Sequence, residues 1–213
     1  MINKTITKKS KPKNIRSISI GKILRAAQDE FILQGYKGAT VQAIADNAGM
    51  PKANVLYYFQ NKENIYHAVL EQTLNMWDEG IGDILLEDGP VLAIEKFVKA
   101  KVTMSFTNPK ASKIYAMEII QGAQHLQDFT RIYLYEWVQK KSEIFQTWID
   151  EGQMQSIDPV SLILLIWSST QHYADFDNQI LTIMNRADYT EDDITQVTTF
   201  LTTFILRGCG LKQ

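Results

Sequence analysis

The sequence predicts an all-α protein of about nine helices in two parts, and three observations carry that prediction. Apolar residues recur at intervals of three and four through most of the chain, which is the period of one helix face. Gly, Pro and Asn interrupt the pattern at places where helices stop and restart. No segment alternates apolar and polar residues as a half-buried strand would.

The bulk composition agrees with a globular helical protein. The chain has 213 residues, 45% hydrophobic and 22% charged, enough apolar material to build a core without disulfides. Cys209 is its single cysteine, so no intramolecular disulfide forms, which fits a reducing compartment. Met1 to Ser10 is polar and lysine-rich, unlike a cleaved secretion signal. The longest clearly apolar run, Leu162 to Trp167, is far too short to span a bilayer. The expected location is cytoplasmic.

Taken in order, residues 1–16 lack apolar periodicity and are expected to form a disordered basic tail. From Ser17, Ile20, Ile23, Leu24, Ala27 and Phe31 mark one face of a helix, and Gly35 stands where a left-handed end is wanted. Thr40 is a good N-cap for a short helix from Val41 to about Asn47, with Val41, Ile44 and Ala45 inward. Gly49 supplies a tight turn, and Pro51 suits the first position of a second short helix ending near Tyr58. Asn61 caps a longer helix reaching about Gly80. Beyond it, turns at Asp88-Gly89-Pro90, Asn108-Pro109 and Gly152 to Pro159 separate helices near 91–106, 110–123, 128–151, 159–181 and 191–207.

The net charge of −2 hides an asymmetry. Residues 1–62 hold eleven Lys and Arg against three acids, a balance of +8, and the rest of the chain carries −10. A basic head on an acidic body fits a polyanion partner. A merely solvated tail is the competing explanation, because six of the eleven cations precede Ser17. Two short helices joined by a glycine turn, between a longer helix and a capped one, describe a helix-turn-helix. The second would enter the major groove of DNA, with Lys52, Ala53, Asn54, Tyr57 and Tyr58 facing outward. Asparagine pairs with an adenine edge and alanine packs on a thymine methyl. Lys52, the tyrosine hydroxyls, Thr40 and Lys62 suit phosphates, Lys62 adding its charge to a helix N-terminus. A helical hairpin around an aromatic core cluster is the plainer alternative.

The run from Gly38-Ala39-Thr40-Val41 through Gly49-Met50-Pro51-Lys52-Ala53-Asn54-Val55-Leu56-Tyr57-Tyr58-Phe59 to Asn61-Lys62-Glu63 resembles the DNA-binding signature of the TetR family. It departs at Met50-Pro51, where many members have a small residue and then serine, which costs one side-chain cap. The resemblance implies a three-helix helix-turn-helix DNA-binding domain over 17–62. It also implies a helical ligand-binding and dimerisation domain over 63–213. The family pattern implies a homodimer through the last two helices, with Val197, Phe200, Phe204 and Ile205 as the apolar stripe of the final one. Packing that stripe within its own subunit is the alternative.

Ile166 to Phe176, with Tyr115-Ala116-Met117-Glu118 and Ile157-Asp158-Pro159, is similar to a pyrimidine-responsive branch of the family. That likeness implies a small-molecule effector, uracil or thymine, whose binding releases a double-stranded DNA operator. On the residues alone, Trp167, Gln171 and Asp175 are spaced by four and share one helix face. An indole, an amide and a carboxylate together suit a flat polar heterocycle, and Trp77 is expected to cover its other face. Ordinary core roles for the two tryptophans compete with this, as does another aromatic or hydrophobic ligand. Ligand contact at Trp77 would tilt the helix that leaves the DNA-binding domain and shift the readers.

His67, His125, His172 and Cys209 have no metal-ligand spacing, so no metal or cofactor is expected. No phosphate-cradling glycine loop, nucleophile elbow or nucleophile–base pair is present, which argues against an enzyme. A helical interaction module that binds no DNA remains as the third class.

Overall fold

The computed structural model describes residues 15–212 except 82 and 83, and the side chains of 79–81, 129 and 130 are left aside. Most of the predicted basic tail, residues 1–14, lies outside the described residues. Among the described residues ten α-helices form: α1 Ile15–Gly38, α2 Val41–Ala48, α3 Lys52–Phe59, α4 Lys62–Ile81, α5 Gly89–Thr107, α6 Pro109–Ile120, α7 Tyr135–Asp150, α8 Pro159–Asp175, α9 Asp177–Met184 and α10 Glu191–Gly208. A 3₁₀ turn at Leu86–Asp88 precedes α5, and a π-helical stretch at Phe129–Leu134 leads into α7. No helix among them is long and apolar enough to cross a membrane. The chain divides into two compact units at Val69/Leu70, inside α4.

The first unit is organised by local signals. Gly35 has φ 67° and ψ 170°, a conformation essentially reserved for glycine, and it breaks α1 before a last helical turn to Gly38. The Thr40 hydroxyl accepts the Ala43 N–H at 3.1 Å and caps α2 as expected. Gly49 is left-handed at φ 63°, ψ 40°. There Met50 N–H reaches Ala45 O at 3.0 Å and Gly49 N–H reaches Asp46 O at 3.1 Å, closing the α2 carbonyls in a Schellman motif. Asn61 Oδ1 accepts Asn64 N–H at 2.8 Å and caps α4. Ile23, Ala27, Phe31, Ile44, Ala45, Val55 and Ile65 are buried together, with Phe31 edge-on to Tyr66 at 4.8 Å.

In the second unit α5 packs against α8 and α10, while α6 and α7 also pack on α8. Phe97, Val98, Phe145, Trp148, Ile163 and Ile166 are among the fully buried side chains of its core. Apolar burial of this kind contributes roughly 1.5–3 kcal/mol per large side chain.

Three elements differ from the sequence expectation. Pro51 is the N-cap (φ −58°, ψ 138°) rather than the first helical residue, and α3 begins at Lys52. Helix α1 starts at Ile15, two residues before Ser17. The expected helix 159–181 breaks at Phe176 (φ −119°, ψ 31°), giving α8 and α9. The carboxylates on either side of the break are both tied to α6. Asp175 accepts from the Ser112 hydroxyl at 2.6 Å, and Asp177 pairs with Lys113 at 2.6 Å. Holding both on one neighbour reorients the chain between them, a constraint that local periodicity does not carry.

Candidate nucleic-acid interface and ligand site

Helix α3 turns Val55 into the core of the first unit and leaves Lys52, Ala53 and Asn54 exposed. Tyr57 is 81% exposed, which is extreme for an aromatic side chain. Such exposure costs apolar hydration and suits a ring that meets a partner. Tyr58 is half-buried and stands edge-on to Tyr57 at 5.3 Å. Thr40 is exposed at the N-terminus of α2. The outward residues anticipated for α3 thus share one solvent-facing surface. Pro51 offers no side-chain cap, as the departure at Met50-Pro51 implied.

Lys62 has a different setting from the one expected. Its Nζ donates to Tyr36 O at 2.8 Å, Ala39 O at 3.0 Å and Lys37 O at 3.4 Å, and sits 4.7 Å from the centre of the Tyr36 ring. An ammonium has three protons, and all three face main-chain acceptors here. The side chain therefore closes the carbonyls at the end of α1 and joins them to the start of α4. Its geometry is that of a latch, which corrects the view of Lys62 as a free phosphate-seeking cation.

In the second unit Trp77, on α4, is half-buried, and its ring meets Tyr115 of α6 edge-on at 4.5 Å. Lys101 Nζ, from the middle of α5, lies 4.9 Å from the centre of the same indole. Lys101 is only 4% exposed. Burial pushes its pKa down to about 7, against the opposing pull of Asp175. Burial also raises the Tyr115 hydroxyl to about 12. For Asp175 burial raises the carboxyl, and the Ser112 hydrogen bond, Lys101, His172 and Lys113 oppose the rise.

The structure therefore brings Trp77 and Asp175 to one neighbourhood, through Lys101. Gln171 is half-buried one turn before Asp175, with no side-chain hydrogen bond among the described residues. Trp167 is placed otherwise. Its ring packs on Trp137 at 5.6 Å, and Trp137 meets Phe97 at 5.9 Å. One side of this indole is thus engaged with the core, so the picture of two tryptophans sandwiching a ligand is not what the rings form. Sequence reasoning missed Lys101, Ser112 and Tyr115. A lysine amid the apolar run of α5 was the available signal for the first.

Glu118 is also not the solvated or loosely paired acid its position suggests. It is 2% exposed, accepting the His125 N–H at 2.7 Å and approaching the His125 ring at 3.2 Å. Among the described residues no group of three His, Cys, Asp or Glu is placed to hold a metal ion.

The stripe expected on the final helix divides in two. Ile205 is buried and Val197 packs against the core, whereas Phe200 and Phe204 are 63% and 62% exposed. Leu164 and Leu165 on α8 are exposed as well. An open groove of about 440 Å³ lies among α8, α9 and α10, lined by Ser168, Ser169, His172, Tyr173, Ile180 and Leu201.

Comparison with known proteins matches both units. Residues 23–69 match bacterial regulatory proteins of the tetR family, and residues 70–212 match the C-terminal region of YcdC-like proteins. The chain is 38% identical over 174 residues to the HTH-type transcriptional regulator RutR of Escherichia coli O157:H7, covering 81% of this chain and 82% of that one. In fold it is similar to the ketosteroid transcriptional regulator KstR2 of Mycobacterium tuberculosis, with a TM-score of 0.73 at 18% identity, covering 95% of this chain and 98% of that one. It is also similar to AibR, solved with isovaleryl coenzyme A and operator DNA, with a TM-score of 0.66 at 16% identity, covering 87% and 97%.

Proposed function

Since this chain belongs to the TetR family of bacterial regulators and is a ligand-responsive DNA-binding regulator, we propose that it acts as a homodimeric repressor released from its operator by uracil or thymine. The observation that carries the DNA-binding surface is the outward face of α3, with Asn54 and Tyr57 exposed beside Lys52 while Val55 anchors the helix from behind. Asn54 reads a base edge, Ala53 packs on a thymine methyl, and Lys52, Tyr57, Tyr58 and Thr40 hold the backbone. Lys62 keeps the scaffold under them in place. A dimer presents two such helices to half-sites about 34–36 Å apart on a near-palindromic operator.

The exposed residues of α8 and α10, Leu164, Leu165, Phe200 and Phe204, support a subunit interface there. The likeness of Ile166 to Phe176 to a pyrimidine-responsive branch supports uracil or thymine as effector. Trp77, Gln171 and Asp175 would contact it, with Trp167 at most at the margin. Helix α4 carries Trp77 and also begins the segment that Lys62 latches to α1, so chain continuity alone links effector and operator. A ligand that favours the non-binding state by about 1–3 kcal/mol lowers operator affinity about 5–150-fold.

Fluorescence anisotropy with labelled operator, titrated with uracil, thymine, cytosine and a purine, tests this directly. Release by uracil or thymine and not by cytosine is expected. Operator binding that ignores all four removes the pyrimidine assignment. Binding that does not weaken steeply with salt removes the phosphate docking.

A further inference from the structure

Two lysines of the ligand-binding unit are buried among the described residues, and they differ in one respect. Lys141 donates to Ile84 O at 3.2 Å. Lys101 has no hydrogen-bond acceptor among the described residues; its ammonium meets the face of Trp77 and the field of Asp175. A buried ammonium with unmet donors is costly, and proteins rarely keep one without a use.

Other groups around it are also incompletely satisfied. The Tyr115 hydroxyl, beside Trp77, and the Gln171 amide have no hydrogen bond among the described residues. Asp175 uses one carboxylate oxygen for Ser112, and its second has no protein partner among them. The charges nearby balance, Lys101 and Lys113 against Asp175 and Asp177. A cationic ligand would meet Lys101 and an anionic one Asp175. A purely apolar one would leave the ammonium unsatisfied. What remains is a neutral ligand that presents an acceptor and a donor side by side.

We propose that Lys101 and Asp175 are the paired polar contacts of the effector site. Lys101 Nζ donates to a ring carbonyl, and the free oxygen of Asp175 accepts the adjacent ring N–H of a neutral cyclic imide or amide bordered by Trp77. This deepens the effector reading given above and rests on it for the location of the site. It assigns specificity to a carbonyl flanked by N–H rather than to aromatic stacking alone. Cytosine, whose ring nitrogen at that edge accepts instead of donating, is excluded by Asp175.

The test is isothermal titration of the full-length protein and its Lys101→Met variant with uracil, N3-methyluracil and glutarimide. Uracil should bind the wild type, weaken about tenfold or more in Lys101→Met, and be similarly weakened by N3 methylation. Uracil binding within about twofold in the variant overturns the Lys101 contact and leaves the pyrimidine reading standing. Glutarimide binding that depends on Lys101, without uracil binding, supports the imide site and removes the pyrimidine. Binding of none of the three overturns both. Should Lys101→Met not fold, carbon NMR of the Lys101 ε-methylene in the wild type replaces it. A resonance that does not move on ligand saturation overturns the contact.

Discussion

The α3 surface and the Lys101 cluster are both small polar sites, but they are assembled in opposite ways. On α3 every proposed reader comes from one run of eight residues, and the helix needs only Val55 buried behind it to aim the others outward. Around Lys101 the groups come from α4, α5, α6 and α8, and each is placed by what its own helix packs against. The first site is open and its polar groups are free to be hydrated. The second is enclosed, so each unsatisfied group there has an energetic consequence. A surface that reads DNA costs the fold little, whereas a pocket that senses a ligand is built at the expense of stability.

The sharpest way to break that contrast is Lys101→Met. Removing the buried ammonium should stabilise the protein by on the order of 3 kcal/mol at pH 7, read by urea denaturation, while abolishing the effector response. The sign also follows from pH. The folded pKa of about 7 lies below the ordinary 10.5, so the unfolded chain binds more protons between these values. Stability should then rise as pH increases above about 7, and Lys101→Met should lose that rise between about pH 7 and 8.5. A destabilised variant would show that Lys101 is structural.

Lys62→Met comes next. As a latch, Lys62 should cost about 2 kcal/mol of stability when removed and leave the salt slope of operator binding unchanged. As a phosphate contact it would do the reverse, lowering the slope by about 0.9 with unchanged stability. Asn54→Ala should cost roughly 1–2 kcal/mol of discrimination at a single operator position in a base-substitution series, with nonspecific affinity unaltered. Equal affinity for every substituted operator in the wild type would remove Asn54 as a reader. The smallest effect is expected from Pro51→Ser, which restores a capping hydroxyl to α3 and should add about 0.5–1 kcal/mol in thermal unfolding. A loss would mean that the fixed proline backbone outweighs the cap.

Much of this molecule was legible without coordinates, and the legible parts share a cause. Thr40, Gly49 and Asn61 act through the backbone within a few residues of themselves, so their caps and turns were visible in the chain. The outward face of α3 followed from helical periodicity once Val55 was assigned inward. Phe200 and Phe204 were visible as apolar, but that they face solvent while Ile205 faces the core required the packing of α10 on α5.

The sequence by itself determined the helical class, the order of the first four helices and the membership of the recognition surface, because these depend on interactions between near neighbours in the chain. Tertiary structure alone decided that Lys62 is held by carbonyls of residues 36, 37 and 39, that helix 159–181 breaks at Phe176, and that Trp167 turns to Trp137. It alone brought Lys101 between Trp77 and the field of Asp175. Each of these joins residues more than twenty positions apart or depends on such a contact. A hydrogen bond or a buried charge at that separation leaves no period in the chain, because its partner is chosen by the packing of whole helices.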